Sequence, residues 1–172
     1  MIAEQLRAIL LSRTAERIAP ETEVLLILAA RRQHVDRVIK PALNRGMTVI
    51  CDRFTDSTMA YQGYGRGLDH RKLRAMNTWA TDGLVPDLTL LFDIPVAIGL
   101  RRRRSRTETQ NRLDREAERF HQQVRNGFRA LAKREPRRIL LIDATPSLEA
   151  VESAVQQYVM KWLSTRRSKN PR

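Results

Sequence analysis

Three short stretches of the chain are apolar without alternation, and each runs into an acidic residue. They are Met47–Cys51 before Asp52, Leu88–Phe92 before Asp93, and Ile139–Ile142 before Asp143. A strand with one wet face alternates apolar and polar residues, so unbroken runs of this length predict strands covered on both faces. Longer segments with apolar residues three and four apart lie around them. Ile2, Leu6, Ile9 and Leu10 predict a helix over 2–11. Pro20-Glu21-Thr22-Glu23 opens a second that runs toward Asn44-Arg45-Gly46, with Pro at its start and Gly just past its end. Pro41 inside it predicts a kink or a break. Residues 69–82, a segment starting at Pro95 and running into an arginine block, 112–134 and 147–163 carry the remaining helices. Doubly apolar strands separated by helices define an α/β fold, a parallel sheet between helical layers.

In such sheets ligands bind beyond the carboxyl ends of the strands, which puts Asp52, Arg53, Asp93 and Asp143 on the functional rim. The length of 172 residues suits one domain, and 42% hydrophobic with 30% charged residues excludes wholesale disorder. No apolar run approaches the roughly 18 residues that span a bilayer. Acidic Glu4 and helix-like spacing at the start speak against a secretory signal. The single cysteine, Cys51, has no partner for an internal disulfide, fits a reducing cytosol and is expected to be inert strand packing.

The formal charge of +13 changes the picture of ligands, not of fold. Lysine supplies only Lys40, Lys72, Lys133, Lys161 and Lys169 of the 32 basic residues; the rest are arginine. A guanidinium grips phosphate bidentately, although an arginine-biased solvated surface explains the excess equally well. Two clusters stand out, Arg101–Arg104 with Arg106, and Arg166, Arg167, Lys169 and Arg172 in a tail after Trp162. Residues 164–172 have no apolar period and are expected to be solvated, leaving 1–163 as the domain. The first cluster cannot be buried without counter-charges. Such a segment, over about 101–112, is either a solvated charge run or a mobile lid that closes on phosphates.

The loop after the first predicted strand, Asp52-Arg53-Phe54-Thr55-Asp56-Ser57-Thr58-Met59-Ala60-Tyr61-Gln62-Gly63, gathers a carboxylate, a guanidinium, hydroxyls and an amide. That donor set suits a small phosphorylated ligand; the competing reading is an Asp52–Arg53 turn with a helix cap at Asp56 or Ser57. Gly63-Tyr64-Gly65-Arg66-Gly67 misses the dinucleotide fingerprint because position 68 is Leu, and reads as a turn. His34, His70 and His121 are too scattered to form a metal site with Cys51. Asp114, Glu116 and Glu118 read as surface partners for Arg115 and Arg119.

In order along the chain, Ala3-Glu4-Gln5-Leu6-Arg7, Glu23-Val24-Leu25-Leu26, Ala29-Ala30-Arg31-Arg32-Gln33-His34-Val35, Val38–Leu43, Asp52-Arg53-Phe54, Ala60-Tyr61-Gln62-Gly63, Pro86-Asp87-Leu88-Thr89, Arg112–Glu116 and Ile142-Asp143-Ala144-Thr145 resemble the bacterial thymidylate kinase family. The resemblance runs from about Ala3 to Trp162. It implies a P-loop-kinase-like fold and the reaction ATP + dTMP to ADP + dTDP with Mg²⁺, in the cytoplasm, without a membrane. It also implies a homodimer through the long helix at 21–45. Arg53 would clamp the dTMP phosphate, with Asp52 near the magnesium-bound phosphates. Arg31 would reach the thymine edge, and Ser57, Thr58, Tyr61 and Gln62 would line the nucleoside pocket. Arg104, Arg106 and Arg112 would be the lid arginines on the ATP phosphates, and Ala144-Thr145-Pro146 the adenine-side loop. Direct protein ligands to a metal are not implied.

Two departures matter. Family members commonly place an aromatic where this chain has Ile27, so thymine would lose a stacking term of about 0.5–1.5 kcal/mol. None of the seven glycines starts a Gly-x-x-x-x-Gly-Lys-Ser/Thr loop, the unit that cradles donor phosphates. Roughly 30–40 residues of strand, loop and helix would then be missing. The strands matching 47–52 and 88–93 would lose the neighbour between them, and the chain alone would be impaired and marginally stable. Two other readings stay open: a catalytically inactive nucleotide-binding or scaffold remnant, and a basic nucleic-acid-binding module with salt-steep affinity. Sparse aromatics and the lack of a recognised motif count against the last.

Overall fold

The computed structural model describes residues 2–12, 18–105, 113 and 116–167. Helix α1 (Ile2–Leu11) packs on α2 (Pro20–His34), which continues through a π-helical turn, π1 (Val35–Ile39), into α3 (Lys40–Asn44). Pro41 lacks an N–H, and its ring crowds the carbonyl four residues back. The helix answers by widening just before it, so that the Lys40 N–H reaches the Val35 carbonyl, and passes Pro41 unbroken. Gly46, at φ +73°, ends it: its N–H donates to Leu43 O at 2.8 Å and that of Met47 to Ala42 O at 3.1 Å. This is the paired terminal bonding that a left-handed glycine permits.

The next segment departs from expectation. Met47–Cys51 is not a buried strand: it belongs to no ladder, Ile50 is 96% exposed, and Cys51 is exposed rather than packed. An apolar run is half of what a strand requires; its N–H and C=O groups also need a neighbouring strand. Among the described residues none lies beside it. The sheet consists of β1 (Thr89–Asp93) and β2 (Ile139–Asp143), parallel and in register from Thr89 opposite Ile139 to Asp93 opposite Asp143. Among the described residues each strand has one partner, and the faces are not covered throughout, because Phe92 and Leu141 stay exposed.

Helices flank this sheet. After α4 (Thr55–Thr58) the chain enters a second π-helix, π2 (Met59–Gly65), then α5 (His70–Thr81). Gly63-Tyr64-Gly65 therefore continues a helix, and only Gly67, at φ +76°, makes the turn. Helix α6 (Val96–Arg104) follows Pro95. Helix α7 (Glu118–Arg134) lies across π2 and both strands, and α8 (Leu148–Arg167) packs on β2. A Cβ on Gly65 would sit 2.7 Å from the Phe120 ring, and one on Gly127 2.7 Å from Tyr64, so two glycines let π2 and α7 touch. Helix α7 starts six residues later than its pattern predicts, because Ala117 is extended (ψ 150°) and the Glu116 carboxylate is taken by Arg66 at 2.5 Å. Helix α8 runs four residues into the expected solvated tail.

Val24 and Leu28 of α2 meet Met59, Leu73, Ala80, Leu131 and Ile139 in the main core. Each of these side chains larger than alanine contributes roughly 1.5–3 kcal/mol by leaving water. A largely enclosed ion pair locks the base of the sheet. Asp56 does not cap α4; its two oxygens accept from Arg138 at 2.8 Å each, and Arg138 also donates to Thr89 Oγ1 and to Glu135.

Candidate nucleotide site

The exposed run 47–51 delivers the chain to Asp52-Arg53 at a sharp turn. Arg53 has φ +68°, a left-handed backbone that a side chain with a Cβ rarely adopts. Backbone strain of this kind persists where the surroundings over-determine it, and it gathers at ligand sites. The Arg53 guanidinium lies 5.1 Å from the Tyr61 ring centroid and pairs with no carboxylate among the described residues. The competing reading, an Asp52–Arg53 salt-bridged turn, is thus not what the structure holds. Asp52 is exposed and likewise without an ion pair among the described residues.

Beside this turn a second guanidinium is held inside the protein. Arg31, on α2, donates from Nη1 to Thr58 Oγ1 at 2.8 Å and to Asn77 Oδ1 at 2.7 Å, and from Nη2 to the Phe54 carbonyl at 3.0 Å. Its carbon lies 5.5 Å from the Phe54 ring centre. Burial pushes its pKa down to about 10. Ile27 lies one helical turn before it on α2, half-buried. The geometry thus joins α2, the Arg53 turn, α4 and α5 at one place.

Tyr61 stands edge-on to Phe120 and Phe128, with centroids 6.1 Å apart in both pairs. Ser57 is half-buried, whereas Thr58 and Gln62 are each 1% exposed. Gln62 Nε2 donates to Glu23 Oε1 at 2.6 Å, so it faces the interior. The same glutamate takes Arg66 at 3.4 Å, and Arg66 continues to Glu116. Glu116 thus pairs with Arg66, and Asp114 and Arg115 lie outside the described residues.

The strand ends form the opposite rim. Asp93 is gripped by Arg125 at 2.7 and 2.9 Å and by Arg129 at 2.6 Å, and the Arg125 bonds hold its carboxyl below the usual range. Asp143 accepts from the Thr145 N–H at 2.9 Å, which lowers its pKa too. The loop Ala144-Thr145-Pro146 is exposed in part and pinned by Arg102, which donates to the carbonyls of Ala144 and Thr145 at 2.7 Å each. Of the lid arginines, Arg106 and Arg112 lie outside the described residues, as does the side chain of Arg104.

Sequence reasoning missed Asn77 and Arg102. Asn77 had a signal, a polar residue on the apolar stripe of α5 between Leu73 and Ala80. Arg102 had none that separates it from its neighbours in the block.

A parallel sheet flanked by helices, with Arg31 and Arg53 near one turn and without carboxylate hydrogen-bond partners among the described residues, is an α/β domain consistent with the P-loop-kinase-like class. The family model for thymidylate kinase matches residues 1–155. A thymidylate kinase of Desulfovibrio desulfuricans is 49% identical over 170 residues, covering 93% of this chain and 78% of that protein. One of Solidesulfovibrio magneticus is 51% identical over 168 residues, covering 94% and 80%, and one of Alkalilimnicola ehrlichii is 46% identical over 167. The chain belongs to the thymidylate kinase family.

Proposed function

We propose that these residues form the dTMP-recognising part of a phosphotransferase that converts ATP + dTMP to ADP + dTDP. The observation that carries the reading is Arg53: an exposed guanidinium on a left-handed backbone, beside Tyr61 and without a carboxylate partner among the described residues, one short helix from the Arg31–Thr58 pair. Arg53 takes the phosphate of dTMP and Arg31 the edge of the base. Ile27 covers the ring, and Ser57 and Tyr61 flank the sugar. Thr58 and Gln62 contribute from beneath, Thr58 by holding Arg31 and Gln62 by holding the wall through Glu23.

Transfer between phosphates needs placement and charge neutralisation rather than a covalent enzyme intermediate. Arg104, Arg106 and Arg112 supply positive charge from the lid, and the loop 144–146 borders the adenine. Magnesium offsets phosphate charge and is usually held by one or two carboxylates together with phosphate oxygens. The exposed Asp52 carboxylate, without an ion pair among the described residues, fits that modest demand.

No described helix is long and apolar enough to cross a membrane. We place the protein in the cytoplasm and as a homodimer, the latter supported by exposed Leu25, Val38 and Leu43 along the α2–α3 helix.

Thermal unfolding tests the reading directly. A ligand that binds the native state raises the midpoint. dTMP is expected to raise it more than AMP or dCMP at equal concentration; equal shifts from AMP would reject a thymidylate site. Ile27→Phe restores a stacking surface and is expected to tighten dTMP roughly three- to tenfold, read by titration calorimetry. An unchanged affinity would mean that the base does not lie on residue 27.

A further inference from the structure

Asn77 on α5 has no part in the reading so far. Its side chain is 4% exposed, and its Oδ1 accepts from Arg31 Nη1 at 2.7 Å. Its Nδ2 is enclosed and meets no acceptor among the described residues. Enclosed donors without partners are unfavourable and rare. Turning the amide around does not help, because a guanidinium carries donors only and would then face the amide N–H₂. The orphaned donor is the consequence of aiming an oxygen at Arg31. A carboxylate would supply that oxygen and would add an ion pair, yet the chain carries the neutral amide. The other two acceptors on Arg31, Thr58 Oγ1 and the Phe54 carbonyl, are also uncharged. Arg31 has no carboxylate partner among the described residues. Its direction is fixed from three sides by uncharged acceptors, and the carboxylate that acts on it through space, Asp56, is hydrogen-bonded to Arg138 instead.

We propose that Asn77 is a positioning residue that sets base specificity, its neutral oxygen orienting Arg31 toward a keto-bearing pyrimidine edge without neutralising the guanidinium. A 4-keto oxygen, as in thymine or uracil, accepts from Arg31, whereas the 4-amino group of cytosine meets it donor to donor. The inference deepens the thymine-pocket reading and rests on it.

The test uses the 172-residue chain with Asn77→Leu and Asn77→Asp, titrated with dTMP and with dCMP and followed in parallel by thermal unfolding. Asn77→Leu frees the guanidinium to turn. It is expected to raise the dTMP Kd about tenfold and to shrink the preference for dTMP over dCMP by a similar factor. Asn77→Asp keeps the oxygen but pairs it with Arg31. It is expected to unfold at a higher temperature than the parent and still to lose preference. A residue serving packing alone would change both affinities together and leave their ratio intact; that result in either variant overturns the proposal. If Asn77→Leu does not fold, Asn77→Asp decides alone. A parent chain that binds dCMP as well as dTMP would instead reject the thymine pocket itself, an outcome visible before any variant is made.

Discussion

Arg53→Ala is expected to weaken dTMP binding roughly 10- to 100-fold and to leave the binding of unphosphorylated thymidine unchanged. A bidentate, charge-assisted contact to phosphate contributes more than a neutral hydrogen bond, on the order of 1.5–3 kcal/mol. Arg53 holds no carboxylate among the described residues, so its removal strands no buried charge and breaks no ion pair there. Stability should therefore change little, since alanine meets the same left-handed backbone at φ +68° as arginine does. Arg53→Lys keeps the charge but loses the planar fork and should fall between the two. Calorimetric titration with dTMP and with thymidine separates the phosphate contribution from the base. Equal dTMP affinity in the parent and in Arg53→Ala would remove Arg53 from the site.

The largest expected loss of stability comes from the ion pair at the start of the strands. Asp56→Asn leaves Arg138, 14% exposed at its side chain, without its two-pronged partner. Breaking one side of a buried pair costs about 3 kcal/mol or more, which corresponds to a fall of roughly 6–12 °C in Tm at this chain length. Glu135 and Thr89 still accept from Arg138 and keep the loss toward the lower end. The double variant Asp56→Asn with Arg138→Met removes both charges and should be less destabilised than the sum of the single changes. Strict additivity in denaturant unfolding would show that the two residues act independently.

Much of the fold was legible because it is written in local pattern. The periodicity of α1 and α5, Pro20 and Gly46 at the ends of the long helix, and the two runs ending at Asp93 and Asp143 all appear where the residues place them. The failure at Met47–Cys51 has a specific cause: apolar character shows that a segment can be covered, while pairing depends on a neighbour that no local pattern reveals. The same limit hid the polar network. Gln62 and Ser57 look alike in a loop rich in donors, yet one is sealed against Glu23 and the other is half-open. Helix α7 begins only after Glu116, which answers Arg66 fifty positions earlier, a partner that no local pattern reveals. Arg31 and Arg53 were readable through family motifs. Asn77 required the structure, since its meaning lies in which of its two terminal atoms meets Arg31.

The left-handed turn at Arg53 has a consequence for anyone evolving this protein toward heat resistance. Glycine occupies such a backbone without steric penalty, so a library scored on folding alone will enrich it at position 53. If Arg53 takes the phosphate as proposed, the survivors would be hardier and unable to hold it, which makes retention of that arginine a sensitive marker of whether selection has preserved function.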